Sequence, residues 1–113
     1  MHEYSIVQAL ITSCEENATA NNAQKVTKVF IKVGVMSGVE PELLKTAFDT
    51  FKYDTVCEEA ELNINVQAVV ILCNSCEKES TLKKNEYCCS FCQSIDIKIL
   101  DGEEMYLMSL ELE

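Results

Sequence analysis

Apolar positions recur at helical spacing over the first stretch of the chain. From about Glu3 to Asn22, the residues Tyr4, Val7, Leu10, Ile11, Cys14 and Ala18 fall on one face. Glu15, Glu16 and Asn17 lie off that stripe, and the run from Asn21 to Gln24 breaks it. From Lys25 to Val35 the period changes to two. Val29, Ile31, Val33 and Val35 share a face, with lysines among the others, which predicts a strand. Gly34 and the Ser37-Gly38 pair end it. A second helix is expected from Pro41, which suits the first helical position and makes Glu40 the cap. Val39 and Leu44 can staple its start, and Leu44, Ala47, Phe48 and Phe51 form its buried stripe.

A polar, acidic stretch from Asp54 to Glu61 follows. Leu62, Ile64 and Val66 alternate with asparagines as a second strand, and Val69 to Leu72 extends or follows it. Cysteines and polar residues dominate from Cys73 to Gln93. Alternation returns at Ile95, Ile97 and Ile99, Asp101-Gly102 reads as a turn, and the last strand puts Tyr106, Met108 and Leu110 on one face. The order is α-β-α-β, a cysteine-rich insert, then β. It predicts an α+β fold, a small mixed α/β domain with two helices packed on a β-sheet (residues 1–68 plus 99–113) carrying an inserted four-cysteine zinc-ribbon module (residues 69–98).

Composition narrows the function. Among 113 residues stand 19 acids and 9 bases, all lysine, for a net charge of −10. Nucleic acid, gripped by basic patches and arginine forks, is disfavoured as a partner, and so is an anionic membrane. No segment approaches the ~18–20 apolar residues of a membrane span. The N-terminus lacks the basic leader and apolar run of a secretory signal, so a cytoplasmic location is expected. In a reducing compartment, paired cysteines point to metal before disulfides.

The seven cysteines include two CxxC pairs, Cys73/Cys76 and Cys89/Cys92, twelve residues apart. Each pair suits one knuckle that turns two sulfurs inward, and four thiolates suit a closed, structural Zn²⁺ site. An iron site of the same geometry stays open. Cys88 adjoins Cys89 and could compete for the fourth position; the matching spacing favours Cys89. Cys14 lies on the apolar stripe and reads as packing. Cys57, in a polar stretch, receives no role. The segment from Cys73 to Cys92 sets Lys78, Lys83 and Lys84 against Glu77, Glu79 and Glu86, with Tyr87 and Phe91 as its aromatics. That is no basic stacking surface for nucleic acid.

The single histidine is His2. A bulky second residue is expected to keep Met1 in place, which puts the α-amine, the His2 amide and the His2 imidazole on adjacent chelate rings. Such nitrogen-rich surroundings suit Ni²⁺ or Cu²⁺. An exposed histidine with no role is the alternative that the residues alone leave open.

The opening MHEYS is similar to the Met-His-Glu-x-Ser start of the HypA/HybF family of hydrogenase nickel-incorporation proteins. The central VGVMSGVEPELLKTAFDTF, the double CxxC and the closing EMYLMSLELE are similar as well, so the resemblance spans essentially the whole chain. It implies a nickel domain that binds Ni²⁺ as transient cargo through Met1, His2 and Glu3. It also implies a zinc domain held by Cys73, Cys76, Cys89 and Cys92. It further implies delivery with the GTPase HypB to the [NiFe]-hydrogenase large-subunit precursor and, in some bacteria, service to urease maturation. Two departures limit the transfer: Cys88 stands beside the zinc set, and the cysteine-rich segment has no histidine. The expected protein is a nickel metallochaperone, a monomer or homodimer, and not an enzyme, since a closed thiolate shell leaves no open position and no second histidine is present as a base. The alternative is a zinc-ribbon adaptor that binds only proteins.

Overall fold

The structure is a computed structural model, and it describes residues 2–83 and 86–113, with His2 described by its backbone alone. The elements are α1 (His2–Ala20), β1 (Val26–Gly34), α2 (Pro41–Phe51), β2 (Glu61–Gln67), β3 (Val70–Cys73), β4 (Glu79–Thr81), β5 (Ile97–Asp101) and β6 (Met105–Leu112). They form two three-stranded sheets, ordered β2-β1-β6 and β4-β3-β5.

The first sheet is mixed. β1 runs parallel to β2, a pairing that needs a crossover, and α2 supplies it. β6 returns antiparallel on the other side of β1. The helical stripe is buried as its spacing predicts: Val7, Leu10, Ile11, Cys14 and Ala18 pack with Val29, Ile31 and Val33 of β1 and with Leu44 and Phe48 of α2. Tyr4 sits at the margin, edge-on to Phe51 with ring centroids 4.4 Å apart. Pro41 opens α2 after Glu40, whose side chain makes no capping hydrogen bond. Cys57 is fully buried against the same core as Cys14. The Cys14 thiol, and then burial, push the Cys57 thiol up from its ordinary value, which makes it a packing residue and not a nucleophile.

Several details differ from the sequence pattern. Phe51, given to the buried stripe of α2, and Val66 of β2 are exposed at the margin of the body. Val35 is exposed, because Gly34 ends β1 one residue earlier. Tyr106 and Met108 face outward while Met105, Leu107, Leu110 and Leu112 pack on the core. The cause is an irregular pairing: Phe30 stands opposite Ser109 and Ile31 opposite Leu107, so Met108 is the extra residue of a bulge and the alternation changes phase there. Ile95 lies outside β5 and is exposed. Asp101-Gly102 closes no hairpin, since β5 and β6 belong to different sheets.

The second sheet is antiparallel, with β3 between β4 and β5. It includes Ile99, Leu100 and Asp101, residues that the sequence pattern gave to the body. Its buried core consists of Val69, Ile71, Cys73 and Cys89, flanked by Cys76, Leu82, Ile97 and Ile99.

Two backbone crossings join the sheets, and they touch. A Cβ on Gly34 would run into the Gly102 carbonyl, and one on Gly102 would lie 2.8 Å from the Val69 Cα. The amide of Met36 donates to the Gly102 carbonyl at 2.8 Å, and that of Val35 to Gln67 at 2.9 Å. An ion pair spans the same junction: Lys32 Nζ of β1 meets Asp101 Oδ2 of β5 at 2.9 Å. The ammonium also lies 5.2 Å from the Tyr106 ring centroid. The result is elongated, 52 × 28 × 17 Å with a radius of gyration of 17.3 Å. A compact chain of this length would have about 13 Å.

Candidate metal centre

Strand pairing assembles the cysteines. β3 ends on Cys73, which stands opposite Ile97 on β5, so the first knuckle lies beside the segment that leaves the second. Each knuckle then folds the same way. The amide of Glu77 donates to the Cys73 carbonyl, and that of Gln93 to the Cys89 carbonyl, both at 2.9 Å. The amide of Cys73 donates to the Lys78 carbonyl at 3.0 Å, and that of Cys89 to the Ser94 carbonyl at 2.9 Å. The residue after each pair, Glu77 or Gln93, takes a left-handed φ of 63°. Glycine usually marks such a position, so the knuckles showed in the spacing of their cysteines and not in their left-handed residues.

The ligand atoms of Cys73, Cys76, Cys89 and Cys92 all lie within 4.8 Å of one another. Cys73 Sγ is 3.5 Å from Cys92 Sγ, and Cys76 Sγ is 3.6 Å from Cys89 Sγ. A tetrahedron with metal–sulfur bonds of ~2.3 Å has sulfur–sulfur edges of about 3.8 Å, so these spacings fit one Zn²⁺-sized ion. Cys88 is half-buried and stands outside the group of four.

The backbone favours thiolates here. The Cys76 amide points at Cys73 Sγ at 3.4 Å and the Phe91 amide at Cys89 Sγ at 3.3 Å. The Cys92 amide lowers the Cys89 thiol to about 6, aided by Phe91 and opposed by burial. Cys73 is lowered as well, first by the Cys76 amide. At Cys92 the Ser94 amide favours the anion, but the thiols of Cys73, Cys76 and Cys89, with burial, outweigh it and push the group up to about 12. Four adjacent sulfurs cannot all carry charge unaided, so the set calls for a cation. All four positions of the shell are protein sulfur, which leaves none for substrate.

The N-terminal candidates divide. Met1 and the His2 side chain lie outside the described residues. Glu3 is half-buried in the first turn of α1, and its Oε2 accepts from the Glu40 amide at 3.4 Å, ahead of α2. No helix of the described residues is long and apolar enough to cross a membrane.

Comparison with known proteins gives a consistent result. The family model for hydrogenase/urease nickel incorporation, metallochaperone, HypA, matches residues 1–112. The hydrogenase maturation factor HypA of Shewanella baltica is 59% identical over 113 residues, covering 100% of this chain and 97% of that protein. The Aquifex aeolicus factor of the same name is 50% identical, with 100% and 98% covered. The solution structure of the Ni metallochaperone HypA from Helicobacter pylori aligns with a TM-score of 0.69 at 37% identity, covering 97% of this chain and 96% of that one. A second HypA solution structure aligns at 0.76 and 37% identity, with 100% and 97% covered.

Proposed function

The chain belongs to the HypA family of hydrogenase and urease nickel-incorporation metallochaperones, and from that premise we propose that it carries Ni²⁺ at its N-terminus while Zn²⁺ holds its four cysteines. It is a maturation factor and not an enzyme. The observation that carries the division of labour is the closure of the four-cysteine group. A shell of four thiolates suits a metal that stays. Cargo must leave, so it needs ligands that a recipient can replace. The α-amine and backbone nitrogen of Met1 and His2, the His2 imidazole and Glu3 form such a set, and nitrogen-rich donors suit Ni²⁺.

The delivery route follows from the same premise. Nickel passes by ligand exchange to the [NiFe]-hydrogenase large-subunit precursor, with the GTPase HypB as partner, in the cytoplasm. Urease maturation factors are a second destination, in line with the family's description. A net charge of −10 favours basic partner faces and sets their encounter rate.

Calorimetric nickel titration of the zinc-loaded protein with a native N-terminus tests the proposal, with His2→Ala alongside. One nickel per chain, lost in His2→Ala with zinc retained, is the expected result. Equal nickel binding in the variant would remove the N-terminal site. No binding in either protein would leave a zinc-ribbon adaptor.

A further inference from the structure

The two knuckles are related by an approximate two-fold. Cys73 corresponds to Cys89, Ser75 to Phe91, Cys76 to Cys92, Glu77 to Gln93 and Lys78 to Ser94. The backbone bonds and left-handed residues described above repeat under this correspondence. Two side-chain contacts between the knuckles repeat under it too. Ser75 Oγ lies 2.9 Å from Ser94 Oγ. At the related position Lys78 Nζ lies 4.9 Å from the Phe91 ring centroid. In each case the residue before the second cysteine of one knuckle meets the residue two past the second cysteine of the other. One position is filled by a hydroxyl pair and the other by a cation over an aromatic face.

Further bonds reinforce the hydroxyl side. Asn74 Nδ2 donates to Asp96 Oδ1 at 3.0 Å, and the Asn74 amide donates to the Asp96 carbonyl at 2.9 Å. The Asp96 amide in turn donates to Ser94 Oγ at 3.1 Å. None of these side chains is a metal ligand. Ser75–Ser94, Asn74–Asp96 and Lys78–Phe91 tie one knuckle to the other, and the Asp96 amide steadies the Ser94 hydroxyl.

We propose that Ser75–Ser94 with Asn74–Asp96 on one flank, and Lys78–Phe91 on the other, clasp the two knuckles and slow the loss of the metal they hold. The proposal rests on the reading that the four cysteines bind zinc. A metal held by two knuckles leaves when one swings away, so contacts between knuckles oppose the first step of release. They do so without changing which atoms bind the metal. These are positioning residues for the metal centre, and each contact is of a kind whose net contribution is small.

The test is zinc transfer from the intact protein to excess 4-(2-pyridylazo)resorcinol, followed by absorbance. Release from a Ser75→Ala/Asp96→Ala variant, and from Phe91→Leu, is expected to be roughly fivefold to tenfold faster than from the wild type. Ser75→Thr and Asp96→Asn, which keep the hydroxyl and the Oδ1 acceptor, should restore slow release. Cobalt-loaded protein should show the same tetrahedral thiolate absorption in every variant, because the ligands are untouched. Unchanged release in both clasp variants would overturn the proposal, and so would an altered cobalt spectrum, which would mean that the ligand set itself had changed. A wild type that takes up no zinc would overturn the four-cysteine reading and the clasp with it.

Discussion

The body and the ribbon are built from different physics. Fourteen buried residues from two helices, two strands and the loop before β2 make the body's core, and β6 adds half-buried ones. Among the described residues the ribbon buries four, two of them cysteines. Apolar burial is worth about 25 cal/mol per Å², so the body has a hydrophobic reason to fold. The ribbon does not: too few side chains leave water to offset the entropy of ordering its loops. On the proposed reading its cohesion comes from bonds to a shared cation, which returns its folding energy as binding energy. A chain of this kind can keep one region rigid through its core and make the other conditional on metal.

The largest effect that separates the regions is loss of the metal. Zinc removal by a chelator, or Cys73→Ala, should abolish hydrogen-exchange protection in β3, β4 and β5 while α1, β1 and α2 stay protected. The energy at stake is about 10–16 kcal/mol of apparent binding at neutral pH. A ribbon that keeps its protection without metal would break the comparison.

The reciprocal change acts on the body. Phe48 is fully buried against both helices and the first sheet. Phe48→Ala should destabilise the body by about 3–5 kcal/mol in urea unfolding, through lost transfer energy and the cavity left behind. Zinc content and the cobalt spectrum of the folded variant should match the wild type.

The smallest effect sits at the junction. Lys32, hydrogen-bonded to Asp101, and then the Gly102 amide hold that carboxyl below its usual value. A depressed folded-state value means that the pair contributes above the ordinary carboxylate range. The contribution is lost as pH falls through the depressed value. In Lys32→Met the Asp101 carboxyl, followed by carbon NMR, should titrate closer to its ordinary range of about 4. An unmoved titration would mean that the contact between the sheets does not depend on this pair.

How much of this was legible depends on the range of the interaction. Helices with a six-residue stripe, and a strand as regular as Val29-Ile31-Val33, declare themselves because their signal is local. The ribbon cysteines declare themselves because two-residue spacing is what a knuckle needs. Long-range pairing did not show. The alternation through β6 cannot reveal that Met108 is an extra residue opposite β1. Nothing local says that Val70–Cys73 leaves the first sheet, or that Asp101-Gly102 passes between two sheets instead of closing a hairpin. Cys57 received no role because its stretch of sequence is polar, yet its neighbours in space are the core. The left-handed turns at Glu77 and Gln93 are imposed by the knuckles, without the glycine that would have announced them. The proposed nickel ligands were suggested by chelate chemistry at Met1-His2-Glu3 and singled out only by the family resemblance.

The central claim is that one chain holds two metals by two chemistries, and X-ray absorption at both edges tests it most directly. Protein loaded with one zinc and one nickel should give a zinc shell of four sulfurs at ~2.3 Å and a nickel shell of nitrogen and oxygen without sulfur. Sulfur in the nickel shell, or zinc displaced from the cysteines as nickel binds, would contradict the account.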